Sequence, residues 1–139
     1  MLKEISSDVY KGFYDTLKNQ LTYAGKTVPV FSVLADKTVA PCWVTISQYN
    51  QAESGAKTFQ GVRASVLIEV NVIGDDYKGL STLTNAVINE LYAVKNGVIT
   101  IGSNIVFSLF EPNITELVEQ TDRIYLRKLI RIEMLIRVV

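Results

Sequence analysis

The stretch Val62–Ile73, which reads VRASVLIEVNVI, decides the fold of this 139-residue chain. Apolar residues hold every second position from Val62 to Val72, and mostly polar or charged residues stand between them. Successive side chains of a β-strand point to opposite faces, so this alternation predicts a strand with one face in a core and the other in water. The end of the chain repeats the pattern at Ile130, Ile132, Met134, Ile136 and Val138.

Two other segments show the period of an amphipathic helix. The first runs from Ser7 or Asp8, either of which suits a cap, to about Leu21. The second covers Tyr77 to Val94 and follows the pair Asp75-Asp76. Adjacent aspartates in a cleft can act as an acid/base or metal pair, but directly before a helix they are more often a cap that complements the helix dipole. We therefore interpret this pair as a cap.

The rest of the chain predicts shorter elements and two loops. Strands are expected at residues 28–34, 42–49, 98–101 and 105–110. Residues 51–61 lack an apolar period and suit an exposed arm or flexible loop, and residues 111–122 read as a long acidic loop. Because each strand has one polar face, we expect a single α+β domain over residues 1–139, with an antiparallel or mixed β-sheet and two helices packed on one face.

Composition excludes several classes of chemistry. The chain has no histidine, which removes the usual general base at neutral pH and the commonest metal ligand. Its only cysteine, Cys42, allows no internal disulfide or thiolate zinc site and is expected to be a small buried hydrophobe in a reducing compartment. No glycine-rich phosphate loop is present. We expect no cofactor, no metal site and no enzymatic activity.

Charge and hydropathy bound the partners. The 14 basic and 14 acidic residues cancel, which argues against broad nucleic-acid binding because that depends on surplus Lys and Arg. No apolar stretch of the length of a signal peptide or a membrane span is visible, so we expect neither secretion nor membrane insertion. Along the sequence, however, most of the acidic and basic residues in the last third of the chain fall into separate segments. An acidic run, Glu111, Glu116, Glu119 and Asp122, precedes a basic series, Arg123, Arg127, Lys128, Arg131 and Arg137.

The basic series predicts a contact surface. Arg131 and Arg137 share the outward parity of the last strand with Leu129 and Leu135. Exposed leucines among arginines are more typical of an interface than of plain solvent surface. Pairing of this strand with the acidic run of another copy would be a head-to-tail contact, which closes into a ring where the rotation allows. The alternative is that another segment of the same chain covers this face.

The order of elements and several strings resemble the tail terminator, or tail completion, family of tailed bacteriophages. The similar strings are the opening helix VYKGFYDTL at 9–17, PCWVTI at 41–46, the strand at 62–73 with Asp75-Asp76-Tyr77 after it, and DRIYLR at 122–127. The resemblance implies a non-enzymatic virion protein, assembled in the host cytoplasm, that forms a homo-oligomeric ring, commonly a hexamer. Such a ring caps the tail tube and meets the head connector. The arm at 51–61 and the connection at 111–122 depart from the family pattern.

Three other functions stay open. The chain is expected to serve as another neck or tail-tube component if its ring geometry differs from that of the family. A small ligand-binding module would use a pocket lined by Tyr10, Tyr14 and Trp43, although aromatic residues at such spacings are more often core. An enzyme without histidine would need carboxylate or tyrosine acid/base chemistry.

Overall fold

The computed structural model describes residues 4–33, 41–53, 61–92 and 101–137. Within this part the chain forms two helices and eight strands. In chain order they are α1 (Ser6–Leu17), β1 (Thr22–Tyr23), β2 (Lys26–Thr27), β3 (Val30–Ser32), β4 (Cys42–Glu53), β5 (Gly61–Ile73), α2 (Tyr77–Tyr92), β6 (Ile105–Leu109), β7 (Asn113–Gln120) and β8 (Ile124–Arg137). The α+β class is confirmed.

A mixed sheet organises these elements. Its strand order is β3-β4-β5-β8, and both β6 and β7 pair with the far side of β8. Strand β3 runs parallel to β4, and the other pairs are antiparallel. Strands β6 and β7 pair with successive halves of β8, so together they form one interrupted edge. Strands β1 and β2 make a separate small hairpin.

The core lies between the helices and one face of this sheet. The alternation predicted for the two long strands is present: Val66, Ile68, Ile130 and Ile132 are buried beneath the helices. The helices contribute their own apolar stripes, among them Phe13 and Leu80 on facing elements. Both predicted helices therefore cover the same face of the sheet.

The first helix is shorter than its apolar period predicted. It ends at Leu17 instead of Leu21, because Asn19 adopts a left-handed conformation (φ 62°) of the kind that terminates helices. Leu21 is buried nonetheless. The predicted cap at Ser7 or Asp8 is also wrong, since the helix begins at Ser6 and the Ser6 N–H donates to Glu4 Oε1 (2.7 Å).

The second correction concerns the acidic connection. Residues 113–120 form strand β7 instead of the long loop expected over 111–122. They make an antiparallel hairpin with β8, in which Glu116 pairs with Lys128 and Leu117 with Arg127. Of the predicted arm at 51–61, residues 51–53 extend β4 and Gly61 begins β5, while 54–60 lie outside the described residues. The predicted strand at 98–101 lies outside them as well, except for Ile101.

Candidate subunit interface

Strand β8 presents different side chains to the two faces of the sheet. Leu126, Ile130, Ile132, Met134 and Ile136 are buried in the core on the helix side. The odd-numbered positions from Arg127 to Arg137 face the other way, and we call this side of the sheet the open face. This face carries Arg127, Leu129, Arg131, Glu133, Leu135 and Arg137, of which all but the exposed Arg137 are half-buried. The predicted sharing of one face by the arginines and leucines is thus present, whereas Lys128 lies on the helix side.

Part of the open face is buried within the protomer itself. Trp43, Thr45, Leu67 and Asn71 are buried there, although they alternate with core positions of their strands. Thr45 Oγ1 donates to Glu69 Oε2 (3.1 Å), and Asn71 Nδ2 donates to the Trp43 carbonyl (3.4 Å). The middle of this face is therefore satisfied within the protomer, and its more accessible side chains include Arg63 of β5 and the half-buried positions of β8.

The acidic and basic segments pair within one chain. Lys128 Nζ lies 2.9 Å from Glu116 Oε1, and Arg127 Nη1 lies 3.6 Å from Glu119 Oε1 and 3.9 Å from Glu69 Oε1. A hydrogen bond from Tyr77 and another from Lys128 lower the pKa of Glu116, which keeps this carboxylate ionised. These charges meet because β7 and β8 are neighbouring strands. The expectation that the acidic run is a free loop awaiting a second copy therefore does not hold for Glu116 and Glu119.

The remaining charges of the hairpin have looser partners. Arg131 Nη2 donates to Gln48 Oε1 (3.2 Å) on the bulge of β4, and Asp122 accepts a hydrogen bond from Thr121 (2.9 Å). Arg123, Arg137 and Glu111 form no ion pair with any residue in the described ranges. Charge left unpaired among these residues thus lies at the β7–β8 turn, just before β7 and at the end of β8.

Among the residues that the structure describes, strand β7 is an open edge of the sheet. All eight of its residues are exposed, including Ile114 (45%), Leu117 (39%) and Val118 (51%). The Thr121 N–H donates to the Arg123 carbonyl, which sets the hydrogen-bond alternation of the hairpin. By that alternation the odd positions of β7 bond to β8, and the even positions direct N–H and C=O groups outward. Sequence reasoning missed this edge, because the adjacent apolar residues Leu117 and Val118 interrupt a period of two.

A groove flanks the opposite edge of the sheet, between α1 and β3. Tyr10, Lys11 and Tyr14 line it from the helix, and Ser32 and Val33 line it from the strand end. The groove continues past Lys18 toward the chain from Thr27 to Val30. The aromatic pocket predicted from Tyr10, Tyr14 and Trp43 is not formed, because Trp43 lies on the open face while α1 covers the other face.

The remaining residues with candidate chemistry, Asp76 and Cys42, have structural roles. Asp76 Oδ1 accepts the Gly79 N–H (2.9 Å) and Asp76 Oδ2 accepts the Tyr23 hydroxyl (2.5 Å), so this aspartate caps α2 and ties it to β1, as the cap interpretation predicted. Cys42 is buried, as expected, and burial raises its pKa. Among the described residues there is no cluster of metal-ligating side chains, and no helix is long and apolar enough to cross a membrane.

Comparison with known proteins identifies a shared fold. No family model and no curated protein sequence matches the chain. Among solved structures, it superposes on a chain of the virion of a native gene transfer agent (GTA) particle with a TM-score of 0.78. The alignment covers 99% of this chain and 100% of that chain at 13% sequence identity. The two proteins therefore have the same fold over their whole lengths.

Proposed function

We propose that this protein is a structural component of a phage-like virion that forms a ring at the end of a tail tube and joins the tail to the head connector. The observation that carries the proposal is the whole-length fold match with a chain of a gene transfer agent virion. The family resemblance of the sequence supports the finer assignment to a tail or neck ring, commonly a hexamer. In this role the protein acts by binding, without catalysis, and its partners are further copies of itself, the tube and the connector.

The ring proposal needs a surface for contact between copies, and we assign it to β7, β8 and the residues just before β7. The residues proposed for it are Arg123, Arg127, Arg131, Arg137, Leu129, Leu135, Glu111, Glu116, Glu119 and Asp122. They share charge or strand parity, and they lie on β7, on β8 or in the turn between these strands, except Glu111, which precedes β7. A single rigid element that carries apolar, acidic and basic groups suits a specific protein contact.

Size measurement tests the ring. Light scattering and negative-stain electron microscopy of the purified protein, alone and with tail tubes, are expected to give closed rings of one size. The double variant Arg131→Glu with Leu135→Asp should weaken assembly while circular dichroism stays native. A protein that stays monomeric at millimolar concentration and does not bind tubes would refute the proposal. Loss of folding in the variant would assign this face to the protomer core instead.

The second candidate is another neck or tail-tube component of the same kind of virion. The fold match supports it equally, since the virion as a whole is the matched assembly. Electron microscopy separates the two candidates, because a terminator gives closed rings and a tube component gives stacked rings of growing length. Neither candidate requires a cofactor or a nucleic-acid site.

A further inference from the structure

We infer that the free edge of β7 in one copy pairs with the free edge of β3 in the next, so that the sheet continues from copy to copy around the ring. The inference rests on the proposed ring and names the contact that builds it. Its occupant is a second copy of this chain, seated with β7 along the groove between α1 and β3.

The first argument is that β7 lacks the protection that edge strands normally carry. Soluble proteins blunt such edges with lysines, prolines, bulges or very short strands, because unpaired N–H and C=O groups attract another strand. Strand β7 has eight residues, NITELVEQ, with no lysine or proline, and its glutamates at 116 and 119 form ion pairs with β8. An unguarded edge with three exposed large apolar residues is a surface built for contact.

The second argument is that β3 offers a matching edge. Within the described residues β3 pairs only with β4. The Pro29 carbonyl accepts the Val44 N–H and the Val33 N–H donates to the Ile46 carbonyl, so the odd positions bond to β4. Val30 and Ser32 therefore direct their backbone groups outward. In the described part of the chain the sheet thus ends in two open edges, as a head-to-tail ring requires.

Strand direction fits this pairing. Strand β3 is parallel to β4, and three antiparallel steps through β5 and β8 leave β7 running opposite to β3. Rotation about an axis roughly along the strands preserves their directions. The β7 strand of one copy then meets the β3 strand of the next in an antiparallel pair, with the helices of both copies on the same side of the continuous sheet.

Side-chain placement and charge fit as well. Ile114, Glu116 and Val118 lie on the helix side of β7, since their pairing partners on β8 lie on the helix side. The groove beside β3 is lined on that side by Tyr10 and Tyr14, and it carries two lysines. These are Lys11, which is largely exposed beside Asp15, and Lys18, whose Nζ lies 5.6 Å from the centre of the Tyr14 ring. In the proposed pairing, Ile114 and Val118 therefore face the tyrosine rings of the groove, and Glu116 faces its lysines.

Disulfide trapping tests the pairing position by position. Ser32→Cys is combined in turn with Ile114→Cys, Glu116→Cys or Val118→Cys, and the assembled protein is oxidised and run on a non-reducing gel. Cys42 is 3% exposed and stays in place. We expect a ladder of covalent multimers from at least one of these combinations. The matched controls place the second cysteine at Thr115 or Leu117, which face the other side of the sheet, and should give no ladder.

Three results would overturn the inference. One is an assembled protein that gives no ladder with any helix-side cysteine. Another is an equal ladder from the Thr115 and Leu117 controls. The third is a covalent dimer from Val118→Cys without Ser32→Cys, which would show that β7 pairs with β7 around a two-fold axis.

A proline variant separates this inference from the ring itself. Val118→Pro removes an N–H that points to the free edge and leaves the bonds between β7 and β8 intact, so the protomer should fold and fail to assemble. Val118→Lys, which blocks the edge by charge, is the second variant if proline disturbs folding. Assembly of both variants at wild-type strength refutes the edge pairing alone. A wild-type protein that never assembles, even on tubes, refutes the proposed function.

Discussion

The apolar edge of β7 makes a quantitative prediction for the double variant Ile114→Ser with Val118→Ser. Fully burying a Val or Ile side chain contributes about 1.5–3 kcal/mol. These two side chains are 45% and 51% exposed in the protomer, so about half of that contribution remains to be gained on association. The variant should therefore lose about 1.5–3 kcal/mol per contact, which corresponds to about 10- to 150-fold weaker association.

Sedimentation equilibrium at several concentrations measures this loss, and urea unfolding reports the protomer. The protomer should also be destabilised, because the buried halves of both side chains are removed. Ile88→Ser is the matched control, since Ile88 is a half-buried residue of α2 that packs on the core. It should destabilise the protomer and leave association unchanged. Equal weakening by the control, or unchanged association in the double variant, would refute the role assigned to this edge.

Three further predictions concern the protomer. Ile132→Ala, at a fully buried position, should lower the free energy of unfolding in urea by about 2–5 kcal/mol, and a loss below about 1 kcal/mol would contradict the core assignment. Asp76→Asn should lower the melting temperature more than Asp75→Asn does. Because the Tyr23 and Gly79 hydrogen bonds lower the pKa of Asp76 from 3.8, the difference in melting temperature from wild type should persist above pH 3.8 and shrink as the pH falls through the lowered pKa. A difference that stays constant with pH would contradict the cap. Cys42 should react with an aromatic disulfide reagent only after unfolding in urea, and fast labelling of the native protein would show that it is accessible.

The long periodic segments were predictable because one of their faces is buried. Strand β5, β8 and α2 each bury one face more completely than the other, so the pattern of residue types reports their structure directly. Strand β7 is exposed on both faces, and its neighbouring apolar residues Leu117 and Val118 interrupt the alternation. An open edge strand therefore resembles a solvated loop in sequence.

The end of α1 and the charge pairs were missed for a different reason. The apolar period continues through Leu21, but a single left-handed residue, Asn19, turns the chain before that period ends. Register is likewise invisible in a sequence, so the placement of Glu116 beside Lys128 could not be read from the separation of acidic and basic segments. The shared face of Arg131 and Leu135 was predictable, because it depends only on parity within one strand.

Charge pairing inside the hairpin leads to a last prediction, on salt. The separation of the acidic and basic runs predicts that opposite charges join different copies, yet the pairs at 2.9 and 3.6 Å connect β7 to β8 of the same chain. The free edge therefore contributes mainly backbone hydrogen bonds and apolar surface to the contact, and screening of charges by salt affects both only slightly. An exposed ion pair across the contact, such as Glu116 with Lys11, adds at most about 1 kcal/mol.

Raising NaCl from 0.05 to 1 M should therefore weaken association by less than about tenfold, as measured by sedimentation. A loss of several orders of magnitude would instead show that the contact depends on the unpaired charges of Arg123, Arg137 and Glu111.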